Sequence, residues 1–306
     1  MADRRSGLLA LLATLATGCG GALPGLALDG PAAPNAALAP IQCESSRGRL
    51  HSVHTGAERL PAVLFLHGTP GRWRAFERYL ADPELAGRLH LVAVDRLGWG
   101  RSTLPGAAHS VEPSFAVHSE VIGVLLDDLA ARNGGLGTIV VGHSLGASLA
   151  PRLAADHGSA VSGLLLLAGS HDPERRARRW YNLAAELPPV RWLIGEDLRR
   201  SNDEIMALPE QLRSHAERWP TLGVPITVIQ GMEDTLVSPG HADFVEALAP
   251  DARVLRLAEA DHFVPWNRYE VVKAELLALA DSVNGTRPMA QPAAAPGACS
   301  FGQSQG

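Results

Sequence analysis

The segment TIVVGHSLGAS, residues 138–148, places Ser144 between two glycines in the order Gly-His-Ser-Leu-Gly. A serine hydroxyl acts as a nucleophile when a sharp turn exposes it and a neighbouring base removes its proton. Glycine makes up 31 of the 306 residues. The pattern alone is therefore weak evidence, since a chain of this composition contains it by chance about 0.2 times. An apolar run before the serine and small residues after it give the strand–turn–helix context that predicts a nucleophile at Ser144.

Two further segments carry a resemblance to a known family. FLHGTPGRW has the form His-Gly-x-Pro-Gly after an apolar run, and VAVDRLGWGRST has the form Asp-x-x-Gly-x-Gly-x-Ser. With the Ser144 turn, they resemble the alpha/beta-hydrolase superfamily over roughly residues 48–284. The closest branch carries a lid and includes esterases, lipases, epoxide hydrolases, dehalogenases and proline-iminopeptidase-like enzymes. The resemblance implies an α/β fold with a mostly parallel central sheet, flanking helices and a helical lid.

The resemblance also implies an oxyanion hole, which is a pair of N–H groups that stabilise the negative oxygen of a tetrahedral intermediate. Thr69, after His-Gly, and Leu145, after the serine, would supply these backbone N–H groups. His67 would then brace its loop and would not be the catalytic base. Asp95 and Arg96 would be structural residues that position their loop near the serine.

The acid and the base follow from the order of residues in the family, in which the acid comes after the serine and the histidine comes last. The family pattern Gly-x-x-Asp in QGMED points to Asp234, with Glu233 expected to face solvent. Asp172 is a second option for the acid. His262, in the segment AEADHFVPWN, follows the last predicted strand and is the expected base. The carboxylate would orient the imidazole and stabilise its protonated form.

These residues predict acyl transfer from a small-molecule carboxylic ester to water through an acyl-enzyme, without a cofactor or a metal. The serine argues against epoxide-hydrolase and dehalogenase chemistry, because the resembling members use a carboxylate nucleophile. Two other activities stay open, a proline-iminopeptidase-like aminopeptidase and a carbon–carbon bond hydrolase. Thr69 replaces the glycine usual in the first of these. A non-catalytic binding protein on the same fold is disfavoured, because all three triad positions are filled.

The elements that must position these residues follow from the hydrophobic pattern. Continuous apolar runs indicate strands covered on both faces, as in a parallel sheet. The predicted strands are 62–67, 89–95, 138–143, 161–169, 225–231 and 252–258. Helical periodicity predicts helices at 114–133, 146–158 and 268–283. Alternation of the two types predicts an α/β domain over residues 46–284.

Residues 172–222 interrupt this alternation with helical patterns, which predict a lid over the carboxyl ends of the strands. One of its helices is expected to begin at Ser201, where Glu204 would complete a capping box. The candidate substrate-binding residues of the lid are Trp180, Tyr181 and Trp192.

The ends of the chain differ from the domain between them. Residues 1–19 have the charge–apolar–small layout of a secretory signal, and LATGC resembles a bacterial lipobox in which Cys19 would carry a lipid. The alternative is an apolar leader on a cytosolic protein. Residues 20–45 are expected to be a flexible linker and residues 285–306 a disordered tail. The chain is therefore expected to cross the inner membrane and to be a membrane-anchored lipoprotein or a periplasmic protein.

Charge and cysteine content bound the partners. The net charge is −5 and the chain holds no basic, aromatic-interleaved run, so no nucleic-acid partner is expected. Cys43 and Cys299 could pair in an oxidising compartment or remain free thiols. The pattern alone does not decide between these two states.

Overall fold

The computed structural model describes residues 38–105, 114–175, 178–284 and 298–302. Among these residues, one sheet organises the fold. Its strands are β1 Ala39–Ser45, β2 Gly48–Thr55, β3 Ala62–Leu66, β4 His90–Asp95, β5 Thr138–His143, β6 Val161–Leu167, β7 Ile226–Gly231, β8 Arg253–Leu257 and β9 Cys299–Phe301. Their order across the sheet is β8-β7-β6-β5-β3-β4-β2-β1-β9.

From β3 onwards, α-helices lie between successive strands along the chain. They are α1 Glu77–Leu80, α2 Pro83–Arg88, α3 Phe115–Arg132, α4 Leu145–Asp156, α5 Trp180–Ala185, α6 Pro188–Leu193, α7 Glu196–Ala216, α8 His241–Leu248, α9 Val264–Asn267 and α10 Tyr269–Asn284. None of the described helices is long and apolar enough to cross a membrane.

Strands β3 to β8 pair in parallel, which confirms the predicted α/β fold with a mostly parallel sheet. Strand β3 shows why the apolar runs are continuous. Leu64 and Leu66 pack into the core that includes α3 and α4, whereas Val63 and Phe65 pack into the opposite core that includes α10. Because both faces of these strands are buried, no polar alternation is visible in their sequence. The carboxyl ends of the parallel strands meet at one edge, where the loops with the predicted site residues emerge.

The far side of the sheet differs from the sequence prediction. Strand β1 lies within the range expected to be linker, and β9 lies within the range expected to be a disordered tail. Both predictions are wrong for these residues, because β1 pairs antiparallel with β2 and β9 pairs antiparallel with β1. Cys43 faces Cys299 directly in this register, and the two form a disulfide. The predicted signal, Cys19 and most of the predicted linker and tail lie outside the described residues.

The segment between β6 and β7 contains helices α5, α6 and α7, as the helical pattern predicted. The boundaries differ from the prediction, because α7 begins at Glu196 and runs without a break through Ser201. Ser201 is therefore not an N-cap, and Gly195 precedes the helix instead. The predicted capping box at Glu204 is wrong, because this side chain bonds to a distant arginine.

Candidate active site

Ser144 lies in a tight turn between β5 and α4, with φ 53° and ψ −120°. A positive φ is unusual for a residue with a side chain and is often found at functional turns. The neighbouring glycines allow this turn to close. A Cβ at Gly142 would lie 2.4 Å from the carbonyl oxygen of Gly146, and a Cβ at Gly146 would lie 2.2 Å from that of Leu66. The structure thus places Ser144 in the strand–turn–helix context that the motif predicts.

Asp234 lies in the loop that follows β7, and its carboxylate meets His262 from the loop after β8. His262 Nδ1 donates a hydrogen bond of 2.8 Å to Asp234 Oδ2. The backbone N–H groups of Leu236 and Val237 donate to Asp234 Oδ1, each at 2.8 Å. Burial alone raises the pKa of Asp234, but the hydrogen bond and charge of His262 and the two N–H donors lower it overall. The carboxylate therefore stays ionised and holds the imidazole with its Nε2 available.

The alternative acid, Asp172, is not brought to His262. Its Oδ1 accepts from the N–H of Glu174, and its Oδ2 lies 3.6 Å from Arg175 Nε. Glu233 is exposed, as the sequence predicts. The structure thus places Asp234, and neither of the other two carboxylates, beside the histidine.

Ser144 and His262 line the same cavity, whose volume is about 100 Å³. Its walls come from the segment after β3, from the turn at Ser144, and from the loops that follow β7 and β8. The residues that line it are His67, Gly68, Thr69, Pro70, Gly71, Ala75, His143, Ser144, Leu236, His262, Phe263 and Trp266. The cavity therefore brings together the predicted nucleophile, the predicted base and Thr69.

His67 has both ring nitrogens occupied by the backbone. Its Nδ1 donates to the carbonyl oxygen of Gly68 at 2.7 Å, and its Nε2 accepts from the N–H of Arg96 at 3.0 Å. Burial, assisted by the charge of Arg96, lowers the pKa of His67 to about 3. The ring is neutral and has no free nitrogen, which fits a brace for the loop and does not fit a catalytic base.

The two expected oxyanion donors come from different segments of the chain. Leu145 is the first residue of α4, so its N–H has no acceptor within the helix. Thr69 follows Gly68, whose backbone is so close to the nucleophile that an added Cβ would lie 2.9 Å from Ser144 Cβ. Both N–H groups therefore belong to backbone adjacent to Ser144, where an oxyanion would form.

His143 lines the cavity and also contacts the loop that carries His262. Its Nε2 donates to the carbonyl oxygen of His262 at 3.0 Å. Burial, assisted by the nearby His262, lowers the pKa of His143 to about 3, so the ring stays neutral. This hydrogen bond ties the loop that carries His262 to the residue that precedes Ser144.

A buried ion pair beneath the site was not predicted. Arg96 donates to Glu204 through Nη1 at 2.6 Å and through Nη2 at 3.1 Å. Burial alone would raise the pKa of Glu204, but the charge and hydrogen bonds of Arg96 lower it to about 2. Because Arg96 directly follows a buried strand, the sequence indicates that its charge is buried and needs an acidic partner. The sequence does not indicate which acid this is, because the partners are 108 residues apart.

The aromatic residues of the insertion do not reach the cavity. Trp180, Tyr181 and Trp192 are absent from the described residues that line it, and the two tryptophans are exposed. The structure therefore does not bring these three predicted substrate-binding residues to the cavity at Ser144. Helices α5 and α6 expose the rings of Trp180 and Trp192, whereas polar side chains occupy the side of these helices that faces α7.

Comparison with known proteins identifies the family. Residues 63–275 match the model described as "Alpha/beta hydrolase family". A stretch of 134 residues is 32% identical to epoxide hydrolase 3 of Xenopus tropicalis and covers 43% of this chain and 34% of that protein. A stretch of 121 residues is 28% identical to a haloalkane dehalogenase of Mycobacterium marinum and covers 40% of this chain and 38% of that protein. The matched stretches thus span about a third of the length of these curated relatives.

Solved structures support the fold. The 2-hydroxy-6-oxo-6-phenylhexa-2,4-dienoate hydrolase of Rhodococcus sp. strain RHA1 superposes with a TM-score of 0.63 at 16% identity. The superposition covers 79% of this chain and 98% of that chain. Because identity is low, this similarity concerns the fold and not the reaction.

Proposed function

Because the chain belongs to the alpha/beta hydrolase family, we propose that it is a serine hydrolase that cleaves a carboxylic ester of a small molecule. One observation carries this proposal. The 2.8 Å hydrogen bond between His262 and Asp234 lies beside a serine at positive φ, and that serine lines the same cavity as His262. An oriented imidazole next to a serine in a strained turn is the arrangement that activates a hydroxyl nucleophile.

The proposed reaction has two halves. In the first, His262 Nε2 takes the proton of Ser144 Oγ while Oγ attacks the ester carbonyl carbon. The N–H groups of Thr69 and Leu145 stabilise the resulting oxyanion, and His262 returns the proton to the departing alcohol. In the second half, His262 takes a proton from water, the hydroxide attacks the acyl group, and Ser144 leaves with that proton. Asp234 keeps its charge throughout and stabilises the protonated imidazole.

The size of the cavity favours a short acyl group. Cavities that enclose drug-sized ligands measure about 300–1,000 Å³, whereas the cavity at Ser144 measures about 100 Å³. Leu236, Phe263 and Trp266 give it an apolar wall. We therefore expect acetyl or butyryl esters to be better substrates than long-chain esters.

Helices α5–α7 act as a lid in this proposal. Two ion pairs connect α7 to the loops around Ser144. Arg72 Nη2 lies 3.1 Å from Asp197 Oδ2 at the surface, and Arg96 bonds to Glu204 in the interior. These contacts hold α7 next to the loop that carries Thr69.

A fluorophosphonate probe tests the nucleophile. The wild type should be labelled, Ser144→Ala should not be labelled, and Ser214→Ala should be labelled like the wild type because Ser214 is an exposed residue of α7. An unfolding curve of Ser144→Ala shows whether the variant is folded. Labelling that persists in folded Ser144→Ala would refute the proposal.

A substrate panel tests the ester. We expect release of p-nitrophenol from the acetyl and butyryl esters and slow or no release from the palmitoyl ester. Faster release of an arylamine from a prolyl amide would instead favour the aminopeptidase. Faster cleavage of a vinylogous 1,5-diketone would favour the carbon–carbon bond hydrolase. Absence of turnover together with reversible binding would favour a binding protein.

We also propose that the chain is exported and anchored through a lipid on Cys19. The disulfide between Cys43 and Cys299 supports export, because such bonds persist in oxidising compartments. In this proposal Cys19→Ser moves the protein from the detergent-extracted membrane fraction to the soluble periplasmic fraction. An unchanged distribution would refute the anchor.

A further inference from the structure

Helices α5 and α6 expose a row of large apolar side chains, which we name the lid ridge. Its members and their exposed fractions are Trp180 53%, Leu183 56%, Leu187 56%, Trp192 79% and Leu193 75%. Single exposed apolar residues are ordinary, but a concentration of them on one short segment marks an interaction surface. The ridge adjoins the proposed site, because Arg179 at the start of α5 donates to the carbonyl oxygens of Thr235 and Leu236 in the acid loop.

The polar side chains of the same helices face inward. Asn182 of α5 is buried and donates to Asn202 of α7 at 2.9 Å. Arg191 of α6 makes two hydrogen bonds, of 2.8 and 3.0 Å, to Asp203 of α7. None of the 6 residues of α6, all of which the structure describes, is buried. A helix stabilised by a protein core has the opposite arrangement, with its apolar face inward.

Positive charge flanks the ridge. Among the described residues, the guanidinium of Arg178 donates to the carbonyl oxygen of Met206, and that of Arg199 donates to the carbonyl oxygens of Arg191 and Ile194. The guanidinium of Arg179 likewise donates to backbone carbonyls. None of these three arginines has an acidic partner among the described residues. Their charges are therefore not neutralised, although the whole chain carries a net charge of −5.

We propose that the lid ridge docks on the surface of an anionic lipid bilayer. Tryptophan rings favour the zone between head groups and acyl chains, and arginines beside them pair with lipid phosphates. The ridge combines both features on a chain that is otherwise acidic. A symmetric contact between two copies would bring the unpaired arginines of both copies into one interface, whereas a bilayer with anionic head groups supplies their counter-charge, so charge complementarity favours the lipid. Docking would bring the cavity at Ser144 to the membrane surface, but it does not depend on which bond the site cleaves.

Vesicle binding tests this proposal on the full chain carrying Cys19→Ser, so that no attached lipid contributes. The probe is vesicles of phosphatidylcholine with about 30% phosphatidylglycerol, compared with phosphatidylcholine alone. We expect co-sedimentation with the anionic vesicles that weakens as salt rises. The double variant Trp192→Ser, Leu193→Ser should bind at least about tenfold more weakly. Arg178→Gln together with Arg179→Gln should weaken binding about 30-fold, and only to the anionic vesicles.

Two control variants match these changes. Met232→Ser alters an exposed apolar residue outside the ridge, and Arg59→Gln removes an exposed charge before β3, at the opposite edge of the sheet. Both should bind like the parent chain. Quenching of tryptophan fluorescence by brominated lipids gives a second measurement on the unaltered ridge, and Trp180→Phe together with Trp192→Phe should remove most of that quenching.

Three results would overturn the proposal. The first is the absence of binding and of quenching. The second is binding that the ridge and arginine variants leave unchanged. The third is a dimer in sedimentation velocity that Trp192→Ser, Leu193→Ser dissociates, which would make the ridge a contact between copies of the chain. Unfolding midpoints of the variants confirm that exposed substitutions leave the fold intact.

Discussion

Glu204 of helix α7 accepts two hydrogen bonds from Arg96, which directly follows strand β4. The same guanidinium donates to the carbonyl oxygen of His67 at 3.1 Å and to that of Gly68 at 2.9 Å. Both charged side chains are buried. One arginine thus connects the helical insertion to the loop that carries the proposed oxyanion donor Thr69.

The first prediction concerns this pair. Glu204→Leu leaves Arg96 buried without a counter-charge and should reduce the free energy of unfolding by about 3–5 kcal/mol. The double variant Arg96→Met, Glu204→Leu should lose less than the sum of the two single changes, because it removes both charges together. In the variants that lack Arg96, kcat should fall with little change in KM, since the carbonyl oxygens of His67 and Gly68 lose their donor. Denaturant unfolding and steady-state kinetics measure these effects.

An exposed pair provides the control for this cycle. Glu174→Gln removes one of the two acidic partners of Arg213 at the surface, where an ion pair contributes at most about 1 kcal/mol. Additive effects of the Arg96 and Glu204 changes, or a loss as small as that of Glu174→Gln, would contradict the assigned role.

The elements that hold the proposed triad were predictable because they are buried on both faces. Strand β5 is observed over the predicted range, Thr138–His143, since its apolar run is continuous and bounded by glycines. The turn at Ser144 followed from Gly142 and Gly146, whose close contacts leave no room for a side chain. Asp234 and His262 could be predicted as the acid and the base because each follows a parallel strand, and the carboxyl ends of these strands lie at the same edge of the sheet.

Other features depend on contacts that leave no local pattern. Strand β9 has only 3 residues in an Ala- and Pro-rich tail, and it exists through its pairing with β1 and its disulfide. Glu204 has the spacing of a capping box with Ser201, but the buried charge of Arg96 requires it inside the helix. Helices α5 and α6 expose apolar side chains and turn polar ones inward, which is the reverse of an ordinary amphipathic helix. The sequence therefore predicts an inward position for Trp180 and Trp192 that the structure does not show.

The second prediction concerns the acid. Asp234→Asn keeps the size of the side chain, but it replaces one of the two accepting oxygens by an NH2 group that can only donate. The single remaining oxygen cannot accept both from His262 Nδ1 and from the backbone N–H groups of Leu236 and Val237. The imidazole is then held in the wrong tautomer, and kcat should fall about 10⁴-fold with the fold intact. Ester hydrolysis measures the effect. Glu233→Gln, one residue earlier and exposed, is the control and should stay near wild type; equal activity of the two variants would exclude Asp234 as the acid.

The third prediction concerns the short distance between Ser144, the proposed nucleophile, and the loop that carries Thr69, the proposed oxyanion donor. A methyl group at Gly68 would lie 2.9 Å from Ser144 Cβ, so Gly68→Ala must push Thr69 and Ser144 apart. Loss of one oxyanion contact costs about 10²–10³ in kcat, and we expect a fall near the lower value. Gly87→Ala is the matched control, because nothing lies within 4 Å of a Cβ there. A kcat for Gly68→Ala equal to that of the control would show that the loop does not contribute.

The fourth prediction concerns the disulfide. Cys43 and Cys299 are separated by 256 residues, so their bond closes a very long loop in the unfolded chain. In the chain-entropy model such a loop contributes on the order of 5 kcal/mol to the free energy of unfolding. Cys43→Ala with Cys299→Ala should lower the denaturation midpoint, and a reductant should lower that of the wild type but not that of the variant. Wild-type curves that coincide with and without reductant would show that the bond is absent or does not constrain unfolding.

The last prediction concerns acid sensitivity and His118, whose two ring nitrogens lack hydrogen-bond partners among the described residues. Burial, assisted by the charge of Arg96, lowers the pKa of His118 to about 4, although the charge of Glu204 opposes this. In the unfolded chain His118 therefore binds a proton near pH 6.5, whereas in the folded chain it stays neutral until about pH 4. Above pH 6.5 the protonation of His118 does not lower the free energy of unfolding. Between pH 6.5 and about pH 4 it lowers that free energy by about 1.4 kcal/mol for each pH unit.

His118→Gln removes this contribution. Measured at pH 7.5, the substitution reports only its effect on packing, which serves as the internal control. Between about pH 6.5 and pH 5 the variant should become more stable relative to wild type by about 1.4 kcal/mol per pH unit. Glu204 does not disturb this window, because its lowered pKa of about 2 keeps it ionised in the folded chain. Parallel stability curves for the two proteins over this range would mean that His118 is already protonated in the fold, paired with the carboxylate 3.9 Å from its Nε2.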